Sequence, residues 1–93
     1  MLTWHLVDST SIRAIGYDPE KREAWVEYLT RRGPYVYFGV PPEVYAELEQ
    51  AERKGPYVNR AIKQYRYEYR GRWPNSATRL SGHEDRVGSP VPG

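Results

Sequence analysis

The residues that most often carry catalysis are scarce here. The 93-residue chain has no cysteine and two histidines, His5 and His83, far apart in the sequence. Neither sits in a metal-ligand spacing such as His-Glu-x-x-His, so no zinc site, disulfide or thiolate centre is expected. No Gly-x-Ser-x-Gly string or phosphate-cradling glycine loop occurs. Glu43, Glu47, Glu49 and Glu52 fall in one stretch, but pairs such as Glu49 and Arg53, four apart, read as the solvated face of a helix. Acid–base or nucleophilic work needs a positioned pair, and the sequence names none. Neither enzymatic activity nor a cofactor is expected.

What the chain does offer is flat rings and positive charge. It carries nine Tyr, three Trp and one Phe. Tyr35 and Tyr37, two apart, place two rings on one face of a strand. Exposed, they would stack on bases at about 1–3 kcal/mol each; the shortage of aliphatic residues favours burial instead. Charge is segregated: residues 1–52 carry five basic and nine acidic side chains, whereas residues 53–72 carry seven basic and one acidic. The basic block is Arg53, Lys54, Arg60, Lys63, Arg66, Arg70 and Arg72, interleaved with Tyr57, Tyr65, Tyr67 and Tyr69. Cations for phosphates beside rings for bases suit single-stranded RNA. Arginine outnumbers lysine by eleven to three, which favours bidentate phosphate contact and stacking. The alternative is a solvated face whose charges offset the acidic half.

The elements that must position these residues follow from periodicity. Ile12–Tyr17 is an apolar-rich run closed by Asp18-Pro19; its isoleucines are three apart, so a strand there needs a bulge, expected near Gly16. Residues 23–29 alternate, with Ala24, Val26 and Tyr28 on one face and Trp25 and Glu27 on the other. A loop over Arg31–Pro34 leads to a third run, Tyr35–Val40. Short loops predict a three-stranded antiparallel meander. At Pro42 the period changes: Val44, Leu48 and Ala51 make a helical stripe, with Pro42 and Glu43 suited to its first turn. Gly55 is expected to end this helix and Pro56 to open a second, with Val58, Ala61, Ile62 and Tyr65 facing inward. Tyr65–Arg70 then alternates; either the helix frays or an extra strand joins the sheet edge, and period-two tyrosines favour the strand.

These readings predict one α+β domain over residues 1–70 and a flexible Gly/Pro/Ser-rich tail over 71–93. Ten of those last 23 residues are Gly, Pro or Ser, and Trp73, Leu80, Val87 and Val91 are the large apolar groups. So few should not offset the entropy of ordering the segment. Truncation at Arg70 is therefore expected to leave stability unchanged. The N-terminus has no basic start or long apolar run, and no stretch approaches the roughly 18–20 apolar residues that span a bilayer. A cytoplasmic protein without membrane contact is expected.

Several strings together resemble a known family. They are Val7-x-Ser9-x-x-Ile12-x-x-Ile15-Gly16-Tyr17-Asp18, Gly33-x-Tyr35-x-Tyr37-Phe38-Gly39-Val40-Pro41, Val44-Tyr45, Ala51-x-x-x-Gly55-x-Tyr57-x-Asn59-x-x-Ile62 and Tyr65-x-Tyr67. Over about residues 7–69 they resemble the KTSC domain, named for its place at the C-terminus of some lysyl-tRNA synthetases and also found as free-standing small bacterial and phage proteins. The resemblance implies a binding domain, with RNA binding conjectured for the family, and brings no catalytic residues. Where the family usually has a serine two residues before the glycine after the first helix, this chain has Arg53. The expected function is nucleic-acid binding through Tyr35, Tyr37, Arg53, Lys54, Arg60, Lys63, Arg66, Tyr67, Arg70 and Arg72. The alternative is an adaptor or inhibitor, of the kind a phage encodes, whose partner is a host protein such as a nucleic-acid-processing enzyme.

Overall fold

A computed structural model describes residues 1–80. Its first strand, β1 (Thr3–Leu6), is followed by β2 (Ile12–Asp18), β3 (Glu23–Tyr28) and β4 (Pro34–Phe38). Next come α1 (Pro42–Gln50) and α2 (Lys54–Tyr57), which runs directly into a π-helical turn, Val58–Ile62; β5 (Tyr67–Tyr69) and β6 (Thr78–Arg79) close the described chain. Among the described residues the sheet has six strands in the order β5-β4-β3-β2-β1-β6. All pairings are antiparallel except β1 with β6, so the sheet is mixed. The expected meander is present as β2-β3-β4, and the extended reading of Tyr67–Tyr69 holds, since Tyr69 pairs with Tyr35 and Tyr67 with Tyr37.

The sheet is nevertheless larger than expected, because β1 and β6 carry little strand signal of their own. The bulge also lies elsewhere. Register shifts between Ile12 and Ala14, so the extra residue is Arg13, and this brings Ile12 and Ile15 into the same buried cluster. Gly16 serves close approach instead: a Cβ there would stand 2.7 Å from Trp4 Cβ and 2.8 Å from Thr3 O.

One sheet face is covered by the helical layer, where Ile12, Ile15 and Val26 meet Leu48, Val58 and Ile62, all fully buried. Pro42 occupies the first turn of α1 with Glu43 beside it, as expected. The helix ends at Gln50, before Gly55. Lys54 explains the stop, donating from Nζ to Ala51 O at 2.7 Å and Glu49 O at 3.1 Å. It thereby satisfies carbonyls that the helix end leaves free and opposes the negative end of its dipole. Gly55 instead lies inside α2, where a Cβ would stand 2.3 Å from Ser11 Oγ.

The second face is covered by residues that follow β5. Gly71, with φ +80, turns the chain out of β5 beside Gly33, with φ +90, and the two backbones meet so closely that a Cβ on Gly33 would overlap Gly71 O. Arg70 N–H and Gly71 N–H both donate to Pro34 O. The following segment crosses the back of the sheet. Trp73 stacks on Trp4 with ring centres 4.7 Å apart and packs against Trp25 at 5.8 Å. Its Nε1–H donates to Glu27 Oε1 at 2.8 Å. Residues 71–80, read from composition as tail, thus close a second small core around Leu2, Trp25 and Val36. One large ring in the right place suffices, and composition averages it away. Residues 81–93, with His83, Val87 and Val91, lie outside the described residues.

Candidate nucleic-acid interface

The helical layer does not cover the whole of its sheet face. At the β4–β5 edge, tyrosines from three strands gather on that face and remain partly open. Cross-strand pairing sets Tyr35 opposite Tyr69 and Tyr37 opposite Tyr67, and facing residues of an antiparallel pair share a side of the sheet. Ring centres of Tyr35 and Tyr69 are 5.0 Å apart, of Tyr37 and Tyr67 5.6 Å, and of Tyr28 and Tyr35 5.7 Å. Exposure grades outward: Tyr37 is 3% exposed, whereas Tyr67 is 56% and Tyr69 52%. Together Tyr28, Tyr35, Tyr37 and Tyr67 line an open bowl of about 420 Å3, joined by Thr30, Arg31 and Lys63.

The floor of the bowl is polar but uncharged. Tyr28 and Tyr37 hydroxyls are hydrogen-bonded at 2.6 Å. Burial, then the Tyr37 hydroxyl, holds Tyr28 well above the ordinary tyrosine range. Burial raises Tyr37 as well, although its hydrogen bond with Tyr28 pulls the other way. Both therefore stay neutral near pH 7. The rim supplies charge. Lys63 Nζ lies 5.5 Å from the centre of the Tyr28 ring, within cation–π reach. Lys63 leaves the π turn directly, its N–H bonding to Val58 O at 2.9 Å. In a regular α-helix that N–H would reach Asn59 O, so the wide turn changes the face on which Lys63 emerges; such turns recur at functional sites.

The structure brings together Tyr35, Tyr37, Lys63 and Tyr67 of the expected site, and separates the others for a simple reason. Alternation on a pleated strand sends Tyr67 and Tyr69 to one face and the residues between and beside them to the other. Arg66 accordingly lies over Phe38 at 4.7 Å, and Arg70 over Trp25 at 5.6 Å while pairing with Glu68 at 3.1 Å. Phe38 and Trp25 belong to the cluster behind the sheet. Arg66 and Arg70, which interleave with Tyr67 and Tyr69 in the sequence, thus lie on the opposite face from those rings. Arg60 covers Tyr57 at 5.3 Å within the helical layer. Arg53 and Lys54 border a different cleft of about 260 Å3, shared with Asp8 and Glu52. There Lys54 spends its donors on α1, and burial pulls its ammonium below the ordinary lysine range while Glu49 opposes this. Arg72 is exposed and outside the lining of the bowl.

Tyr28, Thr30 and Arg31 were missed by sequence reasoning. Tyr28 was legible as the partner of Ala24 and Val26 on the inward face of β3; Arg31 was hidden in a stretch read only as a loop. Among the described residues no group of three or more His, Asp or Glu stands ready to hold a metal ion. No described helix is long and apolar enough to cross a membrane.

A small mixed sheet with one helical layer and an open tyrosine bowl at its edge defines the class: a compact α+β domain with a shallow, aromatic site. The chain belongs to the KTSC domain family, whose model matches residues 8–67. It is similar to a KTSC domain protein of Yersinia pestis known by crystal structure, with a TM-score of 0.72 and 29% identity over 76% of this chain and all of that one. A protein of Tsukamurella paurometabola is 40% identical over 57 residues, covering 61% of this chain and 84% of the relative. One of Stutzerimonas stutzeri is 38% identical over 63 residues, covering 68% and 87%.

Proposed function

We propose that this domain binds single-stranded nucleic acid, RNA in particular, at the tyrosine bowl of the β4–β5 edge. The observation that carries the reading is the bowl itself: four clustered tyrosines around an opening to solvent, with Lys63 and Arg31 in its lining. Rings on a sheet surface take unstacked bases, and every base has a face to stack, so sequence tolerance is expected. The surrounding cations supply the phosphate term, which falls with salt. A duplex keeps its bases stacked inside and has no ring to offer the bowl. The test is a titration of labelled single-stranded and double-stranded RNA of one sequence at several salt concentrations. Binding that favours the single strand and weakens with salt supports the reading; equal affinity for the duplex, or no binding at the lowest salt, counts against it.

A second reading has its own observation. Among the described residues β5 is the outermost strand at its side of the sheet, with Tyr67, Glu68 and Tyr69 all exposed. An edge of this kind takes an added strand from a protein partner, such as a host nucleic-acid enzyme. Recovery of the same protein partner before and after nuclease treatment would favour it.

A further inference from the structure

The bowl has room for one nucleotide rather than a run of them. Its volume, about 420 Å3, lies at the small end of the roughly 300–1,000 Å3 of sites that take a single small ligand. Its walls and floor differ in chemistry. Tyr67, 56% exposed, offers the open ring, with the Tyr35 ring tilted at 55° beside it, while Tyr28 and Tyr37 meet through their hydroxyls at 2.6 Å. Each hydroxyl carries one proton and two lone pairs, so a pair sharing one bond keeps one O–H to donate and lone pairs to accept. Rings suit the face of a base, and the hydroxyl pair suits its polar edge.

The cations narrow the ligand further. Lys63 comes from the end of the π turn and Arg31 from the loop between β3 and β4, so they reach the bowl from separate elements. A base inside a strand is likewise flanked by two phosphates. The geometry points to a one-nucleotide site whose minimal ligand is a nucleoside bearing both a 3′- and a 5′-phosphate, its base stacked on the exposed Tyr67 ring with Tyr35 beside it, and its phosphates on Lys63 and Arg31. This rests on the strand-binding reading and adds to it the site size and the number of phosphate contacts. The same chemistry occurs within an RNA strand and in a free nucleotide, and the experiment separates the two.

Fluorescein-labelled octauridylate is titrated against the full chain at several salt concentrations, then displaced with uridine 3′,5′-bisphosphate. The expected result is complete displacement. Lys63→Gln and Arg31→Gln should each flatten the log–log salt slope by about 0.7, and together by about 1.4. Tyr67→Ala should weaken octauridylate and bisphosphate by the same factor, about ten-fold. Lys21→Gln, at the β2–β3 turn and the far end of β3 from Tyr28, should change neither, with thermal melts confirming that all variants fold. Octauridylate binding that saturating bisphosphate leaves in place, with the slope intact in the Lys63 and Arg31 double variant, would overturn the one-nucleotide site while keeping strand binding. Absence of octauridylate binding at the lowest salt would overturn the strand reading instead; bisphosphate binding that then persists and is lost in Tyr67→Ala would keep the site and make its ligand the free nucleotide.

Discussion

Removing the Trp73 ring should unfasten one whole face of the sheet. Trp73 stacks on Trp4 with an interplanar angle of 13° and a centre distance of 4.7 Å, and packs against Trp25 at 5.8 Å. Aromatic pairs of this kind contribute about 0.5–1.5 kcal/mol each beyond area burial. Its Nε1–H also bonds to a carboxylate, worth about 1.5–3 kcal/mol, although Glu27 keeps Arg13 at 3.0 Å and Gly33 N–H at 3.2 Å. Replacing a core tryptophan by alanine costs about 3–5 kcal/mol. Trp73 is half-buried, so Trp73→Ala should cost about 3 kcal/mol, the low end. In a domain of this size that lowers Tm by about 12–24 °C. Trp73→Phe keeps one ring for the stacks but loses the N–H bond and part of the indole surface, so it should cost about 2 kcal/mol, less than Trp73→Ala. A chain ending at Arg70 should lose at least as much as Trp73→Ala, since it also removes the β6 pairing with Thr3 and Trp4. Urea unfolding followed by tryptophan emission measures all three, and a red shift in the native baseline should report the uncovering of Trp25. Full stability, within about 0.5 kcal/mol, in both Trp73→Ala and the shortened chain would show that the second face holds without its cover.

Further outcomes follow from the same contacts. Gly16→Ala should destabilise by about 2–3 kcal/mol in chemical unfolding, because its Cβ meets Trp4 Cβ and the Thr3 carbonyl rather than a flexible side-chain end. Tyr67→Ala should leave stability within about 0.5 kcal/mol, as a largely exposed ring, while weakening RNA binding. Alkaline pH should unfold the domain. Burial raises Tyr28, Tyr37 and Tyr45, and burial with the Glu47 hydrogen bond pushes Tyr57 up to about 12. Folded values above unfolded ones give stability that is complete below about pH 10 and lost as pH rises through the folded values. Tm should stay level to about pH 9.5 and then fall, with delayed tyrosinate absorbance rising at the same pH.

Local pattern made much of this fold legible. Alternation along residues 23–29 set Val26 and Trp25 on opposite faces, and they fall in opposite clusters, Val26 with the helices and Trp25 behind the sheet. The change of period at Pro42 marked α1 correctly. What escaped depends on partners far away in sequence. Thr3–Leu6 is half-buried at every position and shows no alternation; it is a strand because Tyr17 to Ala14 lies alongside it. Trp73 meets Glu27 across 46 residues, which no window of composition detects. The expected interface divides between the two faces for a different reason. The basic, tyrosine-rich segment was rightly seen as extended at Tyr67–Tyr69, yet the pleat that makes it a strand also parts its arginines from its tyrosines. Periodicity had already implied that separation.

The two faces of the sheet show why the bowl rather than the arginine-rich side is the better site. Both faces end in aromatic rings flanked by cations. Behind the sheet the chain supplies its own occupant: Trp73 lies between Trp4 and Trp25, its N–H is met by Glu27, and Arg70 and Arg79 sit over the outer rings. Ring faces and cations there are already engaged with one another, and a base would have to displace Trp73 at the cost worked out above. On the front the helical layer leaves Tyr67 and Tyr69 more than half exposed. There the Tyr28 and Tyr37 hydroxyls retain hydrogen-bonding capacity beyond the bond they share, and Lys63 and Arg31 border open space. A ligand entering the bowl displaces water, whereas one approaching the back must first displace protein. On the same sheet, with the same residue types, that difference ties one face to stability and leaves the other open, which is why the proposed site is placed there.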